Sequence, residues 1–162
     1  MKTLLILRHG KSSWANRSTP DHDRPLKGRG DRDAWRMGHE LRQRDLIPDL
    51  VLSSTALRAK TTATLAAESA GYTGTITETR ELYLSAARQQ LEVIAELAGD
   101  AERVLVVGHN PTSEDLVENL TGAEVRMTTA NLACLDLQIE TWAELPRATG
   151  TLRFLLRPKE LG

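Results

Sequence analysis

The sequence predicts an α/β fold, a three-layer α/β/α sandwich around a mostly parallel sheet of roughly six strands. Short, continuous apolar runs such as residues 4–7 and 104–107 are typical of strands that are buried on both faces. Segments with helical periodicity separate these runs, as βα units require. Residues 1–162 contain no credible interdomain linker, and a chain of this length is most simply one domain.

The first half of the chain is predicted to contain two strands and two helices. Residues 3–7 and 50–52 form the strands. The first helix begins at Lys27 and places small and apolar residues on one face, at spacings of three and four: Ala34, Met37, Gly38 and Leu41. The second helix follows the hydroxyl residues 53–55, which supply N-cap chemistry, and Gly71 ends it.

The second half of the chain alternates in the same way. One helix is predicted over residues 86–98, and three of its residues should face inward: Leu91, Ile94 and Leu97. Another helix runs from Pro111 to about Leu120, because proline suits a first helical turn. The remaining predicted strands are residues 75–79, 103–107, 132–139 and 151–156.

The composition argues against several classes of function. The 21 basic and 22 acidic side chains leave a net charge of −1, without the basic stripe that nucleic-acid binding needs. No apolar run approaches the ~20 residues of a membrane helix, and the N-terminal run is too short for a signal peptide. The single Cys134 is expected to be a small buried apolar residue. A soluble cytoplasmic protein with no nucleic-acid or membrane partner is therefore expected.

Three predicted strands lead into cationic or imidazole side chains. Arg8 and His9 follow the first strand, and Arg58 lies one turn into the helix after the second. His109 follows the strand at residues 103–107. Ligands of parallel α/β sheets bind beyond the carboxyl ends of the strands. If these strands lie side by side, the two arginines and two histidines meet at one edge, where guanidinium groups and helix N-termini both favour phosphate.

The motifs at these strand ends are Arg8-His9-Gly10, the segment at residues 53–62, and Gly108-His109-Asn110-Pro111. Together they resemble the histidine phosphatase superfamily, which has the phosphoglycerate mutase-like fold. Residues 11–14 and 21–30 resemble, more narrowly, the SixA-type phosphohistidine phosphatase branch.

The resemblance implies a metal-independent phosphatase in which His9 is the nucleophile and forms a phosphohistidine that water then hydrolyses. Arg8, Arg58 and His109 would bind the phosphoryl oxygens, and no metal or other cofactor is implied. The attacking nitrogen must be unprotonated, so we expect the two arginines to lower the pKa of His9 by repulsion. The other ring nitrogen should hold its proton against a fixed acceptor such as a backbone carbonyl.

A general acid that protonates a leaving alkoxide is less well defined by the sequence. Glu81, in the segment after the third predicted strand, is the candidate. Asp21 and Asp23 are alternatives that would otherwise organise their loop or pair with an arginine. His22 and His39 are expected to be surface residues, and the histidines do not have the spacing of a metal site.

The leading hypothesis for function is hydrolysis of phosphohistidine on a protein, because imidazole leaves with less acid assistance than an alkoxide. Few residues remain to build a lid, and an open site suits a phosphoryl group that another protein presents. One alternative is a broad phosphomonoesterase that binds small phosphate esters in the same pocket. Another is a phosphate-binding regulatory module without catalysis, against which the intact His9 argues.

Overall fold

The computed structural model describes residues 1–161, and within them six strands and five α-helices are present. The strands are β1 (Lys2–Arg8), β2 (Leu50–Ser54), β3 (Ile76–Thr79), β4 (Arg103–Gly108), β5 (Leu132–Leu137) and β6 (Gly150–Leu156). The helices are α1 (Gly28–Gln43), α2 (Leu57–Ala70), α3 (Glu81–Leu84), α4 (Ala87–Leu97) and α5 (Thr112–Thr121). All predicted elements are present with slightly shifted bounds, and the short α3 is an addition. None of the helices in this part of the chain is long and apolar enough to span a membrane.

The sheet brings the three chemically important strand ends side by side. Its strand order is β3-β2-β4-β1-β5-β6. The strands β1 to β4 run parallel, whereas β5 is antiparallel to β1 and β6 is antiparallel to β5. Arg8 pairs with Gly108, and Ser53 pairs with Val107, so β1, β4 and β2 end at the same edge. The predicted α/β fold with a mostly parallel sheet is confirmed.

Helices on both faces of the sheet enclose two apolar clusters. Side chains alternate along a strand, so β1 directs Leu5 and Leu7 to one face and Leu4 and Ile6 to the other. The first pair packs with α1 and α2, and the second packs with α4, α5 and a 3-10 turn at Trp142–Arg147. Full burial of one such side chain stabilises the fold by about 1.5–3 kcal/mol. The clusters therefore fix β1, from which the candidate site extends.

Two local predictions were wrong. The helix α2 has Ala56 as its N-cap, rather than one of residues 53–55, because β2 continues through Ser54. Leu97 was predicted to face inward but is 39% exposed. Leu97 is the last residue of α4, and the next residue, Ala98, which is 3% exposed, packs into the apolar cluster in its place.

The helices α1 and α2 pack closely because Gly38 has no side chain. A β-carbon at this position would overlap the carbonyl oxygen of Ala66 and the hydroxyl of Ser69, both on α2. The contact fixes the position of α2, whose first turn carries Arg58.

Gly38→Ala should destabilise the protein, because overpacking of this kind costs about 1–3 kcal/mol. Because the overlap at Gly38 includes backbone, we expect a cost at the upper end of this range and, after the ~1 kcal/mol that alanine gains over glycine inside a helix, a net loss of about 2 kcal/mol in the free energy of unfolding. Urea denaturation measures this loss. Gly28→Ala is the matched control, since a β-carbon there meets only the Arg32 side chain, at 3.5 Å. Unchanged stability of the Gly38→Ala variant would contradict the close packing.

Candidate active site

The strand ends and the first turn of α2 surround a cavity of about 290 Å³. The residues that line it are Arg8, His9, Lys11, Ser12, Trp14, Arg24, Arg58, His109, Asn110 and Thr129. All four side chains that were predicted to meet are among them. The rings of His9 and His109, which follow adjacent strands, have centroids 5.1 Å apart.

His9 is buried directly after β1, with 7% of its surface exposed. Its Nδ1 lies 2.7 Å from the carbonyl oxygen of Gly10. A carbonyl oxygen only accepts hydrogen bonds, so the neutral ring carries its proton on Nδ1 and has a free lone pair on Nε2. The Gly10 amide donates to Thr62 Oγ1 at 3.0 Å, which anchors the residue that orients the ring. A backbone carbonyl is the acceptor that the sequence analysis expected.

Burial lowers the pKa of His9 to about 3, because the imidazolium form loses its hydration inside the protein. The Gly10 carbonyl opposes this shift. Repulsion from His109, Arg58 and Arg8 adds to it. Repulsion from the two arginines was predicted to lower this pKa, but desolvation is the larger cause. His9 is therefore neutral at physiological pH, as nucleophilic attack through Nε2 requires.

His109 follows β4, and its Nε2 lies 2.8 Å from the hydroxyl of Ser54 at the end of β2. The same hydroxyl accepts a hydrogen bond from the Ala56 amide at 3.1 Å, which leaves its own proton available for Nε2. Burial lowers the pKa of His109 to about 4, and repulsion from Arg58 adds to the shift. This arrangement favours a neutral ring whose Nδ1–H is a hydrogen-bond donor.

Backbone and carboxylate oxygens hold Arg8 and Arg58 in place. Arg8 Nη1 donates to the carbonyl of Met127 at 3.1 Å. Arg58, only 6% exposed, donates to the carbonyl of Asp21 at 2.7 Å and to its carboxylate at 3.0 Å. The buried Nε atoms of both arginines have no hydrogen-bond partner among residues 1–161. Since a guanidinium has five N–H donors, both side chains retain donors for an anion.

Arg24 is a buried cation in the cavity lining that the sequence analysis missed. It is 7% exposed, donates to the hydroxyl of Ser12 and donates to Asp21 at 3.2 Å. Its guanidinium lies 3.8 Å from the centre of a Trp14 ring, which is a cation–π contact. Arg24 belongs to an irregular segment rather than a strand end. The one feature of the sequence that could have identified Arg24 as a site residue is its position within residues 21–30, which resemble the SixA branch.

Asp21 joins this segment to the rest of the site. Its carboxylate accepts hydrogen bonds from the Tyr83 hydroxyl at 2.7 Å and from Arg58 and Arg24. The Tyr83 hydrogen bond, followed by those from the arginines, holds the pKa of Asp21 well below its ordinary value. Asp21 is therefore ionised and cannot donate a proton, and the expected alternative of pairing with an arginine is confirmed. Asp23 is exposed and lies outside the cavity lining.

Glu81 begins α3 with an exposed side chain and lies outside the cavity lining. Tyr83, two residues further on, is the α3 residue that contacts Asp21. His22, which was predicted to be a surface residue, is only partly exposed. Its side chain is 33% exposed, and its Nε2 lies 2.8 Å from Thr55 Oγ1. His39 is exposed, as predicted.

The remaining reactive residue types do not form a second chemical centre. Within residues 1–161, no three His, Cys, Asp or Glu side chains are grouped so as to hold a metal ion. Cys134 is buried in β5, and burial raises the pKa of its thiol to about 11. It is the small buried apolar residue that the sequence predicted.

Sequence comparison relates most of the chain to known proteins. The sequence profile of the histidine phosphatase superfamily (branch 1) matches residues 4–84, which include Arg8, His9 and Arg58. An uncharacterised chloroplastic protein of Arabidopsis thaliana is 30% identical over 152 residues, a match that covers 88% of this chain and 70% of that protein.

Two solved structures share nearly the whole fold. A protein from Nakamurella multipartitia that bears the name phosphohistidine phosphatase SixA is 31% identical, with a TM-score of 0.86. The match covers 97% of this chain and 96% of that one. A protein of the same name from Agrobacterium tumefaciens is 30% identical, with a TM-score of 0.79, and the match covers 97% and 99% of the two chains.

The two site imidazoles should remain neutral down to acidic pH. NMR titration of isotope-labelled protein should give pKa values of about 3 for His9 and about 4 for His109. The urea-denatured chain should titrate near 6.5, the ordinary value for histidine. Because the unfolded chain then binds more protons, these sites should weaken folding as the pH falls from about 6.5 through these values. A native His9 pKa close to its ordinary value would contradict the burial of a neutral ring.

Proposed function

Since the chain belongs to the histidine phosphatase superfamily (branch 1) and is a phosphatase, we propose that it hydrolyses phosphohistidine on other proteins through a phosphorylated His9. The observation that carries this proposal is that His9 is buried and neutral, while the Gly10 carbonyl binds Nδ1 and leaves Nε2 as the nucleophile. Arg8, Arg58 and His109 line the same cavity and would bind the phosphoryl oxygens.

The reaction has two steps. First, Nε2 of His9 attacks phosphorus while the bond between phosphorus and the substrate nitrogen breaks on the opposite side. The substrate ring has taken a proton from the solvent on its other nitrogen, so it departs as neutral imidazole. Arg8, Arg58 and the Nδ1–H of His109 stabilise the charge on the phosphoryl oxygens, at about 1.5–3 kcal/mol for each charge-assisted hydrogen bond. Water then attacks the phosphorus, inorganic phosphate leaves, and the neutral imidazole of His9 is restored.

The positions of the carboxylates favour phosphohistidine over alkyl phosphate esters as the substrate. A departing alkoxide needs an acid that protonates it. Asp21 is ionised, and Glu81 is exposed and lies outside the cavity lining. Imidazole is a far weaker base than an alkoxide, so it can leave without a well-placed acid. For ester substrates we propose Glu81, at the start of the helix that carries Tyr83, as the acid, and its position outside the cavity lining is the reason to expect slower hydrolysis of esters.

The cavity also has an aromatic surface suited to a substrate imidazole. Trp14 lines the cavity and is 63% exposed, although the guanidinium of Arg24 packs against its ring. An imidazole ring presented by another protein can stack on such an indole. The name that the similar proteins of Nakamurella multipartitia and Agrobacterium tumefaciens bear, phosphohistidine phosphatase SixA, supports the same substrate class.

His9→Ala should lower kcat by at least about 10³-fold, because it removes the nitrogen that receives the phosphoryl group. Circular dichroism should show an unchanged fold. His39→Ala, which removes an exposed histidine of α1, is the matched control and should retain full activity. Brief incubation with a labelled phosphoryl donor and an alkaline quench should leave an acid-labile, base-stable adduct on the wild type and on the His39→Ala variant but not on the His9→Ala variant. Turnover by the His9→Ala variant would refute the assigned nucleophile.

A purified phosphocarrier protein that bears phosphohistidine should have a higher kcat/KM than sugar phosphates. Glu81→Gln should lower kcat/KM for sugar phosphates by roughly tenfold or more and change that for the phosphocarrier by less than about twofold, because only the alkoxide needs an acid. Glu92→Gln, at an exposed position of α4, is the control and should change neither value.

The outcomes of these assays separate the alternatives. A strong preference for sugar phosphates would support the small-molecule phosphomonoesterase instead. Equal losses for both substrates in the Glu81→Gln variant would remove Glu81 as the acid. Failure to form any adduct at His9, together with binding of phosphate, would support a regulatory module that binds but does not transfer phosphoryl groups.

A further inference from the structure

A second cavity, of about 460 Å³, adjoins the cavity that contains His9, and apart from Arg8 its lining residues have no part in the proposed mechanism. The two cavities share three lining residues: Arg8, Lys11 and Thr129. Three more residues carry the charge on the rest of its wall: Arg29 and Asp33 of α1, and Lys159 of the 3-10 turn at Pro158–Glu160.

The wall of this second cavity is strongly cationic. Four basic side chains line it, against the single carboxylate of Asp33. Lys11 and Lys159 have no ion-pair partner in the part of the chain that the structure describes, residues 1–161. The buried Nε of Arg8 also has no hydrogen-bond partner among these residues. An excess of positive charge in a concave surface favours the binding of an anion.

A backbone contact fixes this cavity relative to the catalytic one. The first turn of α1 packs directly on the chain after His9, and a β-carbon at Gly30 would overlap the carbonyl oxygen of Lys11. The same carbonyl accepts a hydrogen bond from the Lys27 amide at 2.8 Å. The close contact between Gly30 and Lys11 also holds Arg29, the residue before Gly30, close to Lys11. An anion in the second cavity would therefore keep a defined position relative to a phosphoryl group on His9.

We propose that the second cavity binds an additional anionic group of the substrate, a carboxylate or phosphate close to the phosphoryl group that His9 receives. The inference rests on the proposed function and narrows its substrate class to phosphoryl donors with a second negative charge. On a protein, that charge would be an acidic side chain beside the phosphohistidine. On a small phosphate ester, it would be a second charged substituent. Because Arg29 and Lys159 line the second cavity and not the cavity that contains His9, they should affect KM rather than kcat.

Two pairs of substrates test this inference. One pair is a phosphohistidine peptide with either glutamate or glutamine beside the histidine, and the other is carboxyphenyl phosphate and phenyl phosphate. Arg29→Gln and Lys159→Gln should each raise KM for the charged member of a pair by about 2- to 5-fold, as one partly exposed charge pair would. The KM of the uncharged member and both kcat values should stay unchanged. If a compound is not hydrolysed, its inhibition constant against a substrate that is hydrolysed is compared between variants instead of KM.

Asp33→Asn tests the sign of the effect, because removing the carboxylate from the wall should lower KM for the charged member. Arg42→Gln, in the last turn of α1, makes the same change of charge as Arg29→Gln away from the cavity and should have no effect. A response of the peptide pair alone assigns the anion to a protein substrate, and a response of the ester pair alone assigns it to a small molecule. Equal effects on both members of each pair, or no effect on either, would overturn the inference.

The test does not depend on the preferred phosphoryl donor. The ester pair reports on the second cavity even if phosphohistidine is not hydrolysed, which would refute the proposed function alone. Conversely, rapid hydrolysis of both peptides, with no discrimination by charge in either the peptide pair or the ester pair, would refute this inference and leave the proposed function intact.

Discussion

The hydrogen bond between His9 Nδ1 and the Gly10 carbonyl is the interaction on which the site depends. It ties the ring to the backbone, so the orientation of the imidazole follows from the path of the chain at the end of β1. It also sets the tautomer, and therefore which nitrogen can bond to phosphorus. That path is fixed from two sides, since the His9 amide donates to the Gly108 carbonyl at 3.0 Å and Gly10 packs too closely on Gly30 to admit a β-carbon. The chemistry of one side chain thus rests on contacts between backbones.

Burial and positive charge both keep His9 neutral, but they respond differently to a bound anion. Repulsion from Arg8 and Arg58 weakens when a negatively charged phosphoryl group binds among them, whereas desolvation of the imidazolium does not depend on those charges. A histidine kept neutral by arginines alone would tend to gain a proton at the moment when substrate arrives. Because desolvation is the larger cause here, His9, the proposed nucleophile, can stay neutral in the complex. The Asp21 carboxylate holds Arg58 and Arg24 in position, and its negative charge offsets part of their positive charge.

The sequence predicted the part of the site that strands position and missed the part that irregular segments position. Apolar runs locate the ends of buried strands, and parallel strands end at one edge, so Arg8, His9 and His109 could be placed together. Arg24 lies between two prolines in a segment without periodicity, where nothing local determines the direction of a side chain. Ser54 shows the same limit. Its hydroxyl suggested a helix cap, but the residue ends β2 and instead contacts His109.

In the proposed reaction, the two cavities would separate phosphoryl transfer from recognition of the phosphoryl donor. A phosphoryl group is nearly the same on every substrate, so groups that contact it alone bind all donors similarly. Selection between donors must therefore come from residues that do not contact the reacting atoms. In the proposed second site, these residues are Arg29 on α1 and Lys159 after β6. Neither residue lies on β1, the strand that leads into His9. The helix α1 contacts the chain after His9 through Gly30, which packs against Lys11. Changes in their charge can therefore alter which donor binds and leave Nε2 of His9 in place, so one transfer site can serve different substrates within the same fold.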